Sequence, residues 1–378
     1  MAPYLVCFIL IVFCGIFIYI SKTHIHTTNR LITLRDKNAK GNDKLFMFFT
    51  VIILTAVQGL RGKTVGGDTE AYIFIFREAV RQGLGNFTNT VGNVNRDLEK
   101  GYVILNLIWG IVSKNEQYII FISSLTIVFL HMYFLYKNSN DLYLSVMLYF
   151  ALGYFVTSFV PWRMFIATGI VMWSIPLLLH KKYKEVLLLT LLAPLFHFSV
   201  IIYSFSIIIS WLLMRWKIHP RVMLLFLTLV LGALNISYIR DAIFSISQRL
   251  SYYRYATVAG VGKIRTLLII AYFILLYLIG KKRHKGEFRG NKYRLYEYLI
   301  CWSIFISLLN LFFPYVFRMS LYYDYILLLA LPDFMPKLHK NRVFAYISVT
   351  TLSFAFLVYY LMTNAGAIVP YVLGDFAL

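Results

Sequence analysis

The residues of this chain that are able to do chemistry gather at the ends of apolar stretches. The densest group reads LRGKTVGGDTEAYIFIF from residue 60 and continues to NRDLEKGY, setting Arg61, Lys63, Asp68, Glu70, Tyr72, Arg77, Glu78, Arg96, Asp97, Glu99 and Tyr102 between hydrophobic runs. Gly66 and Gly67 permit a tight turn directly before Asp68, which would hold a carboxylate and the loop backbone close to a ligand. Asp68 and Glu70 form a D-x-E pair, but two carboxylates with arginines nearby are too few for a divalent ion, so no metal is expected. Taken singly, Arg77, Glu78, Arg81 and Arg96 read as an ordinary solvated face.

Further along, VPWRMFIATGI puts Arg163 just after Pro161 at the start of an apolar run. A guanidinium there is expensive unless it faces a polar cavity or a partner. LFHFSV places His197 and Ser199 at an expected turn, where a neutral imidazole is able to accept a proton near neutral pH. The plain alternative is a hydrogen-bonded structural histidine among Phe and Leu. QRLSYYRYATVAG sets Arg249 and Arg254 among tyrosines, and PYVFRMSLYYDY sets Arg318 beside Tyr322 and Tyr323. Rings stack on the apolar faces of sugars and arginine bonds phosphate in bidentate fashion, so these stretches suit a ligand with both parts. An interfacial aromatic belt with snorkelling arginines would look the same.

The elements that must position these groups are membrane helices. With 60% hydrophobic residues among 378 and a mean hydropathy of +0.71, a soluble domain is excluded and a bilayer is the solvent. Apolar spans are expected at 3–20, 44–60, 117–136, 142–160, 164–179, 222–236, 264–280, 295–312, 319–331 and 343–362. The stretch 101–112 is short for a span and reads as a re-entrant or interfacial helix. The stretch 186–214 is too long for one straight span and carries Pro194, so it reads as a hairpin of two short helices turning near 194–198.

The net charge of +21 fits the Lys/Arg excess that orients membrane helices better than it fits nucleic acid, which is not expected as a partner. Well over half of the 37 Lys and Arg residues fall in loops that one topology makes cytoplasmic, among them 180–184, 215–221 and the basic loop 281–294. Both termini then face out, as do a main loop at 61–116 and a second at 237–263. Arg61, Arg163, Arg254 and Arg318 are left at or near outer span ends, where orientation alone gives no reason for them. The N-terminal run MAPYLVCFILIVFCGIFIYI reads as a retained first span. Cys7, Cys14 and Cys301 lie in apolar runs with no CxxC, so neither zinc nor disulfides are expected. The whole, 1–378, reads as a single transmembrane domain.

In order along the chain, RGKTVGGDTEAY, EKGY, the arginine of WRMFIA, FHFS and FRMSLYY resemble the landmarks of the EpsG family, which is allied to the Wzy polymerases of O-antigen, capsule and exopolysaccharide synthesis. The resemblance runs from about residue 60 to 323. Met164 departs from it, since related sequences commonly follow this arginine with glutamine. The resemblance implies an inverting or retaining glycosyl transfer at the outer face of the bacterial cytoplasmic membrane. A glycan on undecaprenyl diphosphate would pass to the non-reducing sugar of another lipid-linked unit. Lipid-linked oligosaccharide and membrane lipids are the expected partners, a chain-length-regulating co-polymerase is left open, and no cofactor is expected.

That chemistry needs a base for the acceptor hydroxyl, positive charge for the departing diphosphate, and a groove open to lipid. Asp68 is the first candidate for the base, with Glu99 and His197 as alternatives. Arg163, Arg254 and Arg318, with Arg61 in reserve, are the candidate diphosphate clamp. Tyr72, Tyr102 and Tyr323 are the candidate sugar contacts. The expected fold is all-α and polytopic, with about 11 to 13 spans including a broken helical hairpin, and a GT-C-like glycosyltransferase architecture fits that count. A ligase would use the same donor chemistry with a different acceptor. A lipid-linked oligosaccharide flippase should show internal repeats and midplane charges, and no clear repeat is present.

Overall fold

The computed structural model describes residues 1–24, 32–82, 98–234, 267–268, 271–272, 275, 290–310, 316–338, 342–364 and 366–375. Among them the chain is helical apart from turns and one isolated bridge between Arg61 and Leu373. The α-helices are α1 (Ala2–His24), α2 (Ile32–Gly59), α3 (Thr69–Gln82), α4 (Lys100–Val112), α5 (Glu116–Asn138), α6 (Leu142–Ala151), α7 (Tyr154–Thr157) and α8 (Trp162–Val171). They continue with α9 (Ser174–Leu179), α10 (Tyr183–Leu192), α11 (Ile201–Arg215), α12 (Pro220–Leu234), α13 (Asn291–Leu309), α14 (Phe317–Asp324), α15 (Leu327–Leu338) and α16 (Arg342–Thr363).

Four helical stretches among the described residues are long and apolar enough to cross a bilayer: Glu116–Asn138, Trp162–Leu179, Phe198–Arg215 and Tyr346–Thr363. The 23 residues of α5 reach about 34 Å at about 1.5 Å per residue, enough for a hydrocarbon core of about 30 Å. Its start is set by Asn115, whose side chain accepts from Gln117 N at 2.8 Å. The remaining expected spans coincide with other helices, except 264–280, which lies largely outside the described residues. The chain is an all-α polytopic membrane protein.

Three expected spans are interrupted, that at 319–331 between Asp324 and Leu327, where α14 gives way to α15. The one at 142–160 stops at Ala151 and restarts at Tyr154, after Gly153 at φ 72°. The one at 164–179 breaks between α8 and α9, because Pro176 has no N–H to give the carbonyl of Met172.

The helices fall into two compact units, one of Met1–Ile170, Leu192–Phe198 and Arg342–Leu378, the other of Val171–Leu191 and Ser199–Asn341. In the first, α2 packs against α1 and α5, and α16 against α6. The Phe8 ring meets Phe150 edge-on at 5.2 Å in this core. The 366–374 segment straps the loop after α2: Gly62 N donates to Val372 O (2.7 Å), Gly66 N to Ala367 O (2.8 Å), Gly67 N to Gly366 O (3.0 Å) and Gly374 N to Leu60 O (2.8 Å).

In the second unit, α10 and α11 are the arms of the expected hairpin, with Ser204 Oγ donating to Thr190 O at 3.1 Å, while residues 192–198 of the break belong to the first unit. Met223, Leu227, Tyr298 and Cys301 form a core where α12 meets α13. Asp324, buried on α14, accepts from Ser303 Oγ (2.6 Å) and Ser320 Oγ (3.0 Å). Lys292 Nζ meets Asp333 at 2.7 Å.

Candidate functional site

The main loop begins at a turn that only glycine tolerates. Gly66 has φ 99°, and a Cβ there would lie 2.8 Å from Phe159 O. Thr69 N donates back to Gly66 O at 3.0 Å and Thr69 Oγ1 to Val65 O at 2.8 Å, which starts α3. Asp68, half-buried, gives its carbonyl to Tyr72 N at 3.1 Å. Along α3 the buried residues Thr69, Tyr72, Ile73, Phe76 and Ala79 recur at helical spacing and face α4, where Val103 and Leu107 complete a small core. The opposite face holds the ion pairs Arg77–Glu116 and Arg81–Glu78, both largely exposed. The loop therefore contains two packed helices, of which α4 is the short helix expected at 101–112.

At the start of α4 the chain comes close to the 193–195 turn, and a Cβ on Gly101 would lie 2.7 Å from Leu195 O. Glu99 occupies the N-cap position with extended backbone but does not cap its own helix. Its carboxylate reaches outward: Oε1 accepts from Phe198 N at 3.0 Å and lies 3.3 Å from His197 Nδ1, while Oε2 pairs with Arg163 Nη1. Burial alone would push this carboxyl up, but His197, the Phe198 N–H and Arg163 together outweigh it and hold the group down at about 2.

Arg163 is the second residue of α8, whose first-turn hydrogen bond runs from Phe165 N to Pro161 O at 3.1 Å. Trp162, fully buried, donates from Nε1 to Phe159 O (3.0 Å) and stacks on Tyr72 with centroids 4.6 Å apart. The guanidinium of Arg163 stands 5.9 Å from the same Tyr72 ring. Burial pushes the Tyr72 phenol up, Arg163 pulls it down and Asp68 pushes it up again, so all three groups share one electrostatic neighbourhood. Side-chain exposures of 23% for Arg163, 13% for Glu99 and 26% for His197 leave the cluster within reach of a ligand.

Several expected site residues are buried in the structure. Tyr72 and Tyr102 are buried, 5.6 Å apart edge to face, with Trp162 against Tyr72, so their rings brace Arg163 and present no face to a sugar. Tyr323, also buried, shares a 2.6 Å hydrogen bond with Ser206 Oγ and packs on Tyr203, so it too is enclosed. Arg61 has no exposed surface. It donates to Gln58 O (3.1 Å) and Phe159 O (2.9 Å), and its Cζ lies over the Phe159 ring at 4.6 Å. Burial pushes this guanidinium down to about 9, because desolvation disfavours its charged form. Glu99, held so low, is ionised at neutral pH.

Arg318 is the second residue of α14 in the second unit and is half-buried. Arg254, with the whole 237–263 loop, lies outside the described residues, as do Arg96, Asp97, Arg249 and most of 281–294. Trp162 was not among the expected residues; its adjacency to Pro161 and Arg163 in PWR was the signal for it. Among the described residues no group of three or more His, Cys, Asp or Glu has metal-site geometry.

The model of the EpsG family matches residues 44–373, most of the chain. The chain belongs to the EpsG family. No curated protein and no solved structure matches it. EpsG membership makes it a membrane protein of exopolysaccharide-polymerase type, glycosyltransferase-like in its chemistry, with lipid-linked sugars as substrates and a bacterial membrane as its location.

Proposed function

We propose that this EpsG protein is a Wzy-type polymerase that moves a growing glycan from undecaprenyl diphosphate onto the terminal sugar of another lipid-linked repeat unit, at the outer face of the cytoplasmic membrane. The observation that carries the reading is the junction at Glu99, where one carboxylate pairs with Arg163 and faces His197 Nδ1 at 3.3 Å. A carboxylate at Nδ1 favours the tautomer with its proton there and leaves Nε2 as the basic atom.

In the proposed step, His197 Nε2 takes the proton of the acceptor hydroxyl as its oxygen attacks the anomeric carbon. The bond from that carbon to the diphosphate oxygen breaks, and its electron pair leaves with the polyprenyl diphosphate. Proton uptake makes His197 cationic beside Glu99. The cluster, neutral with Glu99 ionised and Arg163 charged, gains one positive charge as negative charge grows on the leaving group. Arg163 is the cation proposed to meet it. Asp68, on the same electrostatic neighbourhood through Tyr72, is proposed to orient the acceptor sugar.

The test is polymerisation by purified protein given its lipid-linked repeat unit as sole substrate. A ladder of products from wild type, abolished in folded Arg163→Ala and His197→Ala, supports the reading. A single transfer to a different acceptor turns it into a ligase, and a ladder that survives His197→Ala removes His197 as the base.

A further inference from the structure

The second unit contains a pocket of about 320 Å³ that the glycosyl-transfer reading does not use. Its floor is apolar, from Leu178, Leu179 and Met214, and its mouth carries Lys181 and Arg215 with the rings of Tyr183 and Trp211. The two rings lie 5.3 Å apart, and the Arg215 guanidinium stands 5.8 Å from the indole. No carboxylate is among the residues lining it.

Backbone geometry sets basic residues at the C-terminal ends of two helices, where cations offset the negative pole of the helix dipole. Helix α9 ends with Lys181 N donating to Leu178 O (3.0 Å) and Lys182 N to Leu177 O (2.9 Å), a closure that requires a left-handed residue and normally takes glycine. Lys181 occupies that position at φ 59°. Helix α11 closes in the same way, with Lys217 at φ 55°. Arg294 ties the turn to α13, donating from Nη2 to Lys217 O at 3.1 Å and to Ile218 O at 3.3 Å. The first residue of α13, Asn291, also lines the pocket, and Gly290 supplies no side-chain cap, so the first N–H groups of α13 add to the positive field.

An apolar floor, an aromatic pair at the mouth and a cationic rim match the three levels of a phospholipid: acyl chain, interface and phosphate. We propose that this pocket binds the headgroup of an anionic phospholipid, with Lys181 and Arg215 on the phosphate and the acyl chain against Leu178 and Met214. The sequence expectation that 180–184 and 215–221 are cytoplasmic loops agrees with the anionic surface of that leaflet.

The experiment measures the thermal unfolding midpoint of the full-length protein in neutral detergent, with phosphatidylglycerol, phosphatidylcholine or inorganic phosphate added at matched concentration. Phosphatidylglycerol is expected to raise the midpoint by several degrees, with neither of the others doing so. The rise should be lost in the Lys181→Gln, Arg215→Gln double variant and kept in Lys114→Gln, a control of exposed charge elsewhere. An equal rise with phosphatidylcholine, an equal rise with inorganic phosphate, or a full rise in the double variant overturns the proposal. Should the double variant fail to fold, native mass spectrometry of wild type decides: preferential retention of phosphatidylglycerol over phosphatidylcholine supports the site, and equal retention sinks it.

Discussion

Arg61 and Arg163 are both neighbours of Trp162, the first through space and the second along the chain, yet their surroundings differ in kind. Arg61, 5.3 Å from that ring, is wholly enclosed and spends its hydrogen bonds on backbone carbonyls. Arg163 keeps partial exposure and a carboxylate partner, while a buried Nε with no hydrogen-bond partner among the described residues is common to both. Both would score alike as arginines at the outer end of a span. The contrast teaches that a guanidinium closed in by carbonyls and rings holds a loop together, whereas one paired to a half-buried carboxylate beside a histidine can answer a change of charge.

The sharpest way to break this contrast is at the histidine. His197→Ala should lower the polymerisation rate by about 10²- to 10⁴-fold, the usual contribution of a positioned base, with little change in thermal midpoint. Arg163→Ala should follow with a loss of about 10²-fold or more, in line with removing one fixed electrostatic group. Assays at saturating substrate would place both losses in turnover.

Glu99→Gln should cost about 10-fold to 10²-fold, since the imidazole loses its orienting charge but keeps a hydrogen-bonding neighbour. The same variant carries a stability signature. The folded value of about 2 lies below the unfolded value of 4.5, so the stability from Glu99 is fully present above about pH 4.5 and disappears as the pH falls through 2. The gap in midpoint between wild type and Glu99→Gln should thus narrow between pH 5 and pH 3; a constant gap would mean that the carboxylate is not held as described.

Arg61→Met reverses the pattern. It should lower stability by about 2 to 4 kcal/mol, because two buried carbonyls lose a charged donor, while the protein that remains folded polymerises within about 3-fold of wild type, the change expected when no transition-state contact is lost. A folded but inactive Arg61→Met would erase the distinction between the two arginines. The smallest effect should come from Tyr323→Phe, which removes one hydroxyl pair with Ser206 and no ligand contact, at about 1 kcal/mol of stability.

Much of this was legible in the residues themselves. Pro194 announced the broken hairpin, the Gly66–Gly67 pair announced the turn before Asp68, and the cost of a guanidinium at a span end singled out Arg163. Other features depend on contacts across long separations that no local pattern encodes. Glu99 and His197 are 98 positions apart, and nothing near either one specifies the other. Tyrosines that pack and tyrosines that wait for a sugar have the same side chain and the same arginine neighbours, so the burial of Tyr72, Tyr102 and Tyr323 became visible only once Trp162 and Ser206 were in place. The role of 366–374 was also hidden, because a strap made of backbone hydrogen bonds needs no particular side chains.

That strap orders events during synthesis. The loop of Gly62, Gly66 and Gly67, which aims Asp68 and starts α3, takes its backbone partners from residues that leave the ribosome some three hundred positions later. Until Gly374 has emerged, the loop lacks those bonds and the bed for Tyr72 and Arg163 is unfinished. A nascent chain already threaded into the membrane therefore leaves this loop without its backbone partners until residues 366–374 have been made.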